Sequence, residues 1–307
     1  MTVRWEEKRY YSLDYYFKQT YGEKLYKISL DGGMTCPNRD GKLNRRGCIF
    51  CSAGGSGDFA SDRSLSITEQ IEQGKAQVAR KYTGSSYIAY FQAYTNTYAP
   101  VSYLRDIFTE AIRHPDIRLL DIATRPDCLG PEILALLEEL NRIKPVWIEL
   151  GLQTIHPRSA NFIRRGYDLP VFEQAVSDLR KIHIPVIVHT ILGLPTEDTD
   201  KMLETVRYLN TLDIQGVKFH LLHILEHTDL ADYYREHPFA LPDMEEYFEM
   251  LGRCLCILRP DIVVHRLTGD GPKSLLIAPL WTGNKRQVLN QMQAYLKRHD
   301  IWQGKEL

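Results

Sequence analysis

The sequence of 307 residues predicts an α/β fold, a parallel sheet with helices outside it. Two observations carry that prediction. Short runs rich in Val, Ile, Leu, Tyr and Phe alternate with longer stretches of helical period, and the alternation repeats through six strands. Beyond about residue 225 it stops, and a mostly helical tail follows with no intervening Pro/Ser linker or internal repeat.

Taken in order, residues 1–24 form an aromatic and basic N-terminal segment. Arg4, Lys8, Arg9 and Lys18 alternate there with Trp5, Tyr10, Tyr11, Tyr15, Tyr16, Phe17 and Tyr21. Two readings stand: an amphipathic helix packed by its rings, or cations and flat rings that stack on RNA bases. Leu25–Leu30 is a strand running into a cysteine-rich loop, and Ser66–Lys81 a helix opened by Ser66 with Glu69 three residues on. Strands follow at Tyr87–Ala93, Ile117–Ala123, Val146–Leu152, Val186–Leu192 and Val217–Leu222. The helices between them are Val101–His114, Pro131–Lys144 with proline in its first turn, Leu169–His183 and Thr199–Leu212. Residues 25–225 thus read as one β/α barrel unit. Residues 226–307 read as an extension packing on it, with helices at Asp243–Leu258 and Lys285–His299 and one further strand at Ile262–Arg266.

Composition is that of a globular chain, 44% hydrophobic and 25% charged. No apolar run approaches the roughly 20 residues of a membrane span. The N-terminus MTVRWEEKRYY lacks a signal-peptide core, so the reading is a cytoplasmic, reducing location. There, clustered thiols serve as metal ligands rather than disulfides. The net charge of −1 leaves any case for nucleic acid to local patches.

Chain organisation centres on residues 30–59, where Cys36, Cys48 and Cys51 are spaced C-x11-C-x2-C among seven glycines. Three thiolates without an evident fourth suit an iron–sulfur cluster with one open iron. A zinc clip completed by a distant His or Cys, or untethered thiols, remain open on spacing alone. Parallel β/α barrels carry their chemistry at the carboxyl ends of the strands, and polar residues recur there. The second strand ends in Gln92, Tyr94, Thr95 and Asn96, the third in Thr124-Arg125-Pro126-Asp127, and the fourth in Gly151, Gln153 and Thr154. The fifth bears His189 and Gly193-Leu194-Pro195, the sixth Lys218, His220 and His223.

With these residues in place, the chain resembles the radical S-adenosylmethionine (SAM) superfamily. IATRPDCLG and IELGLQTIHPRSANFIRRGY resemble segments of the Elongator catalytic subunit and of oxygen-independent coproporphyrinogen oxidases; ILGLPTEDTDKMLETV resembles the turn and helix that follow. YFQAYTNTYAP with KFHLLHILEHTDL and HRLTGDGPKSLLIAPLW is similar to YhcC/YtqA-type (MnmL-like) proteins. The resemblance spans about Tyr16 to Leu289 and implies a partial (β/α)6 TIM-like radical SAM barrel with a C-terminal α-rich extension.

It implies a [4Fe-4S] cluster on Cys36, Cys48 and Cys51 and, as second cofactor, S-adenosyl-L-methionine. Phe50 and Leu194 would lie near the adenine and Gln153 near the ribose. Arg165 would pair bidentately with the methionine carboxylate. Gln92, Tyr94 and His189 complete the implied cofactor contacts. Lys218, His220, His223, Arg266 and Asp270 are the substrate-side candidates. Flavodoxin or ferredoxin would deliver the electron that splits SAM into a 5′-deoxyadenosyl radical, which takes hydrogen from the substrate. Three features depart from the superfamily pattern: the wide first cysteine gap, AYTN where a glycine-rich segment is expected, and Thr196 after the GLP turn.

The Elongator-like segments point to the C5 side chain of the tRNA wobble uridine as substrate. Lys42, Arg45, Arg46, Lys285, Arg286, Lys297, Arg298 and His299 are charges able to track its phosphates. No acetyltransferase domain follows in the sequence, so the full Elongator reaction is not expected of this chain. The rival readings are a radical SAM enzyme on a small-molecule or peptide substrate, and a non-catalytic, metal-stabilised RNA-binding module. Cys128, Cys254 and Cys256 read as packed thiols.

Overall fold

The computed structural model describes residues 5–55, 57–79, 84–269 and 271–307; Arg4, Lys81 and Asp270 lie outside them. The chain opens with α1 (Leu13–Tyr21), capped by the Ser12 hydroxyl, then β1 (Tyr26–Leu30), α2 (Ile67–Val78), β2 (Tyr87–Phe91), α3 (Val101–Arg113) and β3 (Ile117–Thr124). It continues with α4 (Pro131–Asn141), β4 (Val146–Gln153), α5 (Pro157–Phe162), α6 (Leu169–Lys181), β5 (Val186–Leu192), α7 (Thr199–Leu209) and β6 (Gly216–Leu221). The C-terminal part adds β7 (Ile224–Leu225), α8 (Asp229–Glu236), α9 (Met244–Ile257), β8 (Val263–Arg266), β9 (Leu276–Ala278) and α10 (Lys285–Arg298).

Seven parallel strands form one sheet in the order β1-β2-β3-β4-β5-β6-β8, curled into a partial barrel. The six anticipated strands are all present, and the strand expected at Ile262–Arg266 joins the sheet edge as β8. Three elements escaped the sequence reading. Helices α5 and α8 are only 6 and 8 residues long, too short for a periodic signal. The ribbon β7–β9 joins two short strands far apart in the chain, antiparallel.

Side chains on a strand alternate between faces, and here the alternation sorts the chemistry. Ile28, Ala89, Phe91, Leu120, Ile122, Ile148, Leu150, Val186, Val188, Val217 and Phe219 face the outer helices and build the main core. The opposite parity faces the barrel interior in layers. Lowest lie Leu25, Ile88, Leu119, Trp147 and Ile187, and Phe17 of α1 packs among them. Its ring stacks on Trp147 with centroids 5.7 Å apart. Two residues further along each strand stand Lys27, Tyr90, Asp121, Glu149 and His189, all polar. One end of the barrel is therefore plugged by hydrophobic rings, and the polar layer rests on that plug.

This packing decides between the two readings of the N-terminal segment. Trp5, Tyr10 and Phe17 are 3%, 8% and 2% exposed. Rings committed to the core are not free to stack on bases, so the RNA-stacking reading is corrected for them.

Candidate active site

A cavity of about 610 Å³ opens at the carboxyl ends of the strands. Cys36, Cys48 and Cys51 line it together, each half-buried and in no disulfide. The loop closes the wide first gap by tight backbone bonds: Arg39 N–H to the Cys36 carbonyl at 2.7 Å, Leu43 N–H to Pro37 at 2.8 Å, and Gly47 N–H to Asn38 at 2.7 Å. Asn38, 2% exposed, donates its amide to the Arg164 carbonyl at 2.8 Å and anchors the loop to the segment after α5. Arg39 donates to the Cys51 carbonyl at 2.9 Å and lies over the Tyr94 ring. Burial, then the neighbouring Cys51, pushes the Cys48 thiol up to about 12. Metal binding displaces that proton.

The cavity floor is the polar layer. Glu149 accepts from four groups: Lys27 at 2.8 Å on one oxygen, and on the other Tyr90 at 2.7 Å, His189 Nε2 at 2.8 Å and the Lys218 ammonium, while Lys218 also reaches the Tyr90 hydroxyl at 3.1 Å. Counting by residue, these donors are Lys27, Tyr90, His189 and Lys218, from strands β1, β2, β5 and β6. Lys27 also pairs with Asp121, whose side chain is fully buried. Burial opposes the charge on Glu149, but Lys218 and Lys27 outweigh it and hold the carboxyl well below the usual range. Burial lowers Lys218 to about 7 against the pull of Glu149, and burial together with Glu149 raises Asp121 to about 7. His189 drops to about 4 through burial, then the Lys218 charge.

Phe50, Gln92, Tyr94, Gln153, Arg165, His189, Lys218, His220, His223 and Arg266 all line the cavity with the cysteines. Leu194 does not: 1% exposed, it packs with Ile49, Ile163 and Ile191. The wall is formed instead by Ile163 and Ile191 in front of it. The bidentate use expected of Arg165 is also corrected. Its Nη1 donates to the carbonyls of Leu152 at 2.9 Å and Thr154 at 2.6 Å, and its Nε to Tyr167 at 3.1 Å. Among the described residues, Nη2 alone is left for a ligand. Tyr94 braces the cysteine loop, donating its hydroxyl to the Ala53 carbonyl at 2.5 Å. The charged residues Lys27, Asp121 and Glu149 and the phenol of Tyr90 were missed; the available signal was an ionisable or polar residue inside each apolar strand, in step with the chosen strand-end groups.

Residues 44–209 match the Radical SAM superfamily, and residues 214–298 the Radical_SAM C-terminal domain. The chain belongs to the radical SAM superfamily. Uncharacterized protein YtqA of Bacillus subtilis is 44% identical over 299 residues, covering 97% of this chain and 93% of its own length. Protein YhcC of Escherichia coli is 34% identical, covering 94% and 92%. More distantly, a tRNA uridine(34) acetyltransferase of Methanocaldococcus jannaschii is 24% identical over 59% of this chain and 33% of its own. Among solved structures, the archaeal Methanocaldococcus infernus Elp3 superposes with TM-score 0.69 at 13% identity, covering 91% of this chain and 64% of that one. That likeness is one of fold.

The cofactors of this radical SAM chain are those of the superfamily, a [4Fe-4S] cluster and SAM, and the site accommodates them. The sulfurs of Cys36, Cys48 and Cys51 do not all lie within 4.8 Å of one another, and no described His, Asp or Glu completes such a group with them. Ligands on a single zinc at about 2.3 Å would bring sulfurs to about 3.8 Å. Three thiols on one cavity with no fourth ligand grouped with them among the described residues suit a cluster with one open iron instead. In the same cavity, His220 Nε2 is buried without a hydrogen-bond partner among the described residues, a group whose desolvation a bound ligand would compensate.

Proposed function

We propose that this radical SAM enzyme modifies the C5 side chain of the tRNA wobble uridine. The observation that carries the substrate is the similarity to a protein named for acetylating tRNA uridine 34, extending over more than half of the chain. In this reading Cys36, Cys48 and Cys51 hold the cluster on the cavity wall. Phe50, Gln92, Gln153, Nη2 of Arg165 and His189 contact SAM, with Tyr94 holding the loop in place. Bound there, cluster and SAM would supply one-electron reductive chemistry and removal of a hydrogen atom from the substrate.

The chain's own residues supply placement. Glu149 fixes Lys218 and His189 at the floor, so neither amine nor imidazole swings freely. His220 Nε2, Lys218 and Arg266 face the same cavity and orient the substrate's polar atoms. Phe59, 59% exposed, and Lys285 also line it. At the mouth, an exposed ring and an ammonium offer a flanking nucleotide a stacking face and a phosphate contact.

The test is 5′-deoxyadenosine formation by anaerobically reconstituted protein with dithionite and SAM, with and without bulk tRNA, beside Cys48→Ala. Product that needs Cys48 and rises with tRNA supports the reading. Cys48-dependent product indifferent to tRNA moves the substrate to a small molecule or peptide.

A further inference from the structure

The loop between the first two cluster cysteines has two faces with different chemistry. Its inner face carries Cys36, Arg39 and Cys48 to the cavity. Its outer face exposes Lys42, Leu43, Arg45 and Arg46, and none of these four lines the cavity. Arg46 pairs with Asp229 at 2.6 Å, whereas Lys42 and Arg45 form no ion pair among the described residues. Asp40 is the one carboxylate within the loop, turned onto the Lys42 N–H at 3.0 Å. Leu43 sits among the cations 49% exposed. The chain as a whole carries a net charge of −1, so this face is a local positive exception.

We propose that the outer face of this loop, formed by Lys42, Leu43, Arg45 and Arg46, docks an acidic one-electron carrier protein. The inference rests on the cluster assignment of Cys36, Cys48 and Cys51, and it is independent of the RNA substrate. An apolar side chain flanked by cations that outnumber the carboxylates Asp40 and Asp229 beside them suits a small, transient protein contact, steered by charge and sealed by one side chain. The backbone bonds that hold the loop keep the patch in one conformation, so little ordering entropy opposes docking. One electron leaves the reduced carrier and enters the cluster across the loop; the carrier is oxidised by one and the cluster reduced by one. Because the face lies outside the cavity, the carrier docks while SAM and substrate occupy it. RNA fits this face less well, since an exposed leucine gains nothing from a phosphate backbone.

The experiment uses reconstituted holoenzyme and reduced flavodoxin as the probe, with three variants: K42E/R45E, the milder K42Q/R45Q, and L43A. Binding of flavodoxin is measured by calorimetry at low and high salt, and cluster reduction by the bleaching of its visible absorbance. K42E/R45E weakens binding and slows flavodoxin-driven bleaching by about tenfold or more at low salt, and high salt erases most of the difference. K42Q/R45Q and L43A give smaller losses of the same kind. Bleaching by dithionite, SAM cleavage under dithionite and tRNA affinity stay at the unmodified level. Flavodoxin binding and bleaching that are unchanged in all three variants would overturn the proposal. A loss confined to tRNA affinity would overturn it too, and assign the face to RNA.

Discussion

Nε2 of His189 lies 2.8 Å from a carboxylate oxygen of Glu149, deep in the barrel where strands β4 and β5 run side by side. The same oxygen accepts from Tyr90 and Lys218. One buried carboxylate thereby ties together four strands' worth of polar side chains at the cavity floor. Glu149→Gln removes the carboxylate that Lys218 pairs with and leaves Lys27 with Asp121 alone. Breaking a buried pair from one side costs about 3–5 kcal/mol, so a loss of that order is expected in denaturant unfolding. The double variant E149L/K218M removes both partners and recovers part of it. A single variant as stable as the parent would mean the network contributes nothing to folding.

His189 is held neutral, its pKa lowered to about 4 by burial and the Lys218 charge. The unfolded chain, with an ordinary histidine near pH 6.5, binds more protons than the native state between those values. Stability therefore falls as pH drops from about 6.5 towards 4, by up to about 3 kcal/mol from this residue alone. His220 and His265, both lowered by burial, act in the same direction. Unfolding midpoints measured across that range should slope less in H189N than in the parent; equal slopes would refute the assignment.

Arg165 distributes its N–H groups over the carbonyls of Leu152, Thr154 and Tyr167. Lysine keeps the charge but cannot span three carbonyls from one nitrogen. Loss of charge-assisted bonds worth about 1.5–3 kcal/mol each predicts that R165K lowers stability by at least about 2 kcal/mol. SAM affinity falls with it, because the end of β4 loosens. If thermal unfolding is unaffected while SAM binding is lost, the arginine serves the ligand alone.

Two glycines separate loop geometry from ligand contact. Gly55 has φ +58°, and a Cβ there would lie 2.3 Å from the Tyr94 ring. Ala at this position strains the backbone and pushes the brace off the cysteine loop, so G55A should take up less iron on reconstitution. A Cβ on Gly151 would crowd the end of the Gln153 side chain, at 2.8 Å, and touch the Tyr167 hydroxyl at an ordinary 3.9 Å. The glutamine side chain swings away at little cost, so G151A keeps stability within about 0.5 kcal/mol. Its SAM affinity drops, since Gln153 no longer points into the cavity. Matching iron content in G55A and parent, or matching SAM affinity in G151A and parent, would count against each reading in turn.

Much of the cavity's lining was legible residue by residue, and the carboxylates of its floor were not. Cysteine spacing and the polar endings of five strands named Cys36, Cys48, Cys51, Gln92, Gln153, His189, Lys218 and His220, all of which line the cavity. Gln92 and Gln153 stand where an apolar run gives out, and His189, Lys218 and His220 lie a few residues before such an end in β5 and β6; the break is a local signal. Glu149 sits inside VWIELGLQ and Asp121 inside IRLLDIAT, where a strand pattern says only that the run is apolar. Their meaning depends on cations from β1 and β6 that arrive from far along the chain.

Local periodicity and turn chemistry thus determined the parallel α/β order, the helix starts and the three-thiol loop, because these depend on neighbours within a few residues. Tertiary structure alone decided three things: that Phe17 plugs the barrel, that Leu194 stands behind the wall, and that Arg165 is held by carbonyls. The physical reason is common to all three. Whether a side chain is buried, and which partner satisfies it, depends on surfaces brought together only when the strands curl into one sheet, and desolvation then sets its charge and its freedom.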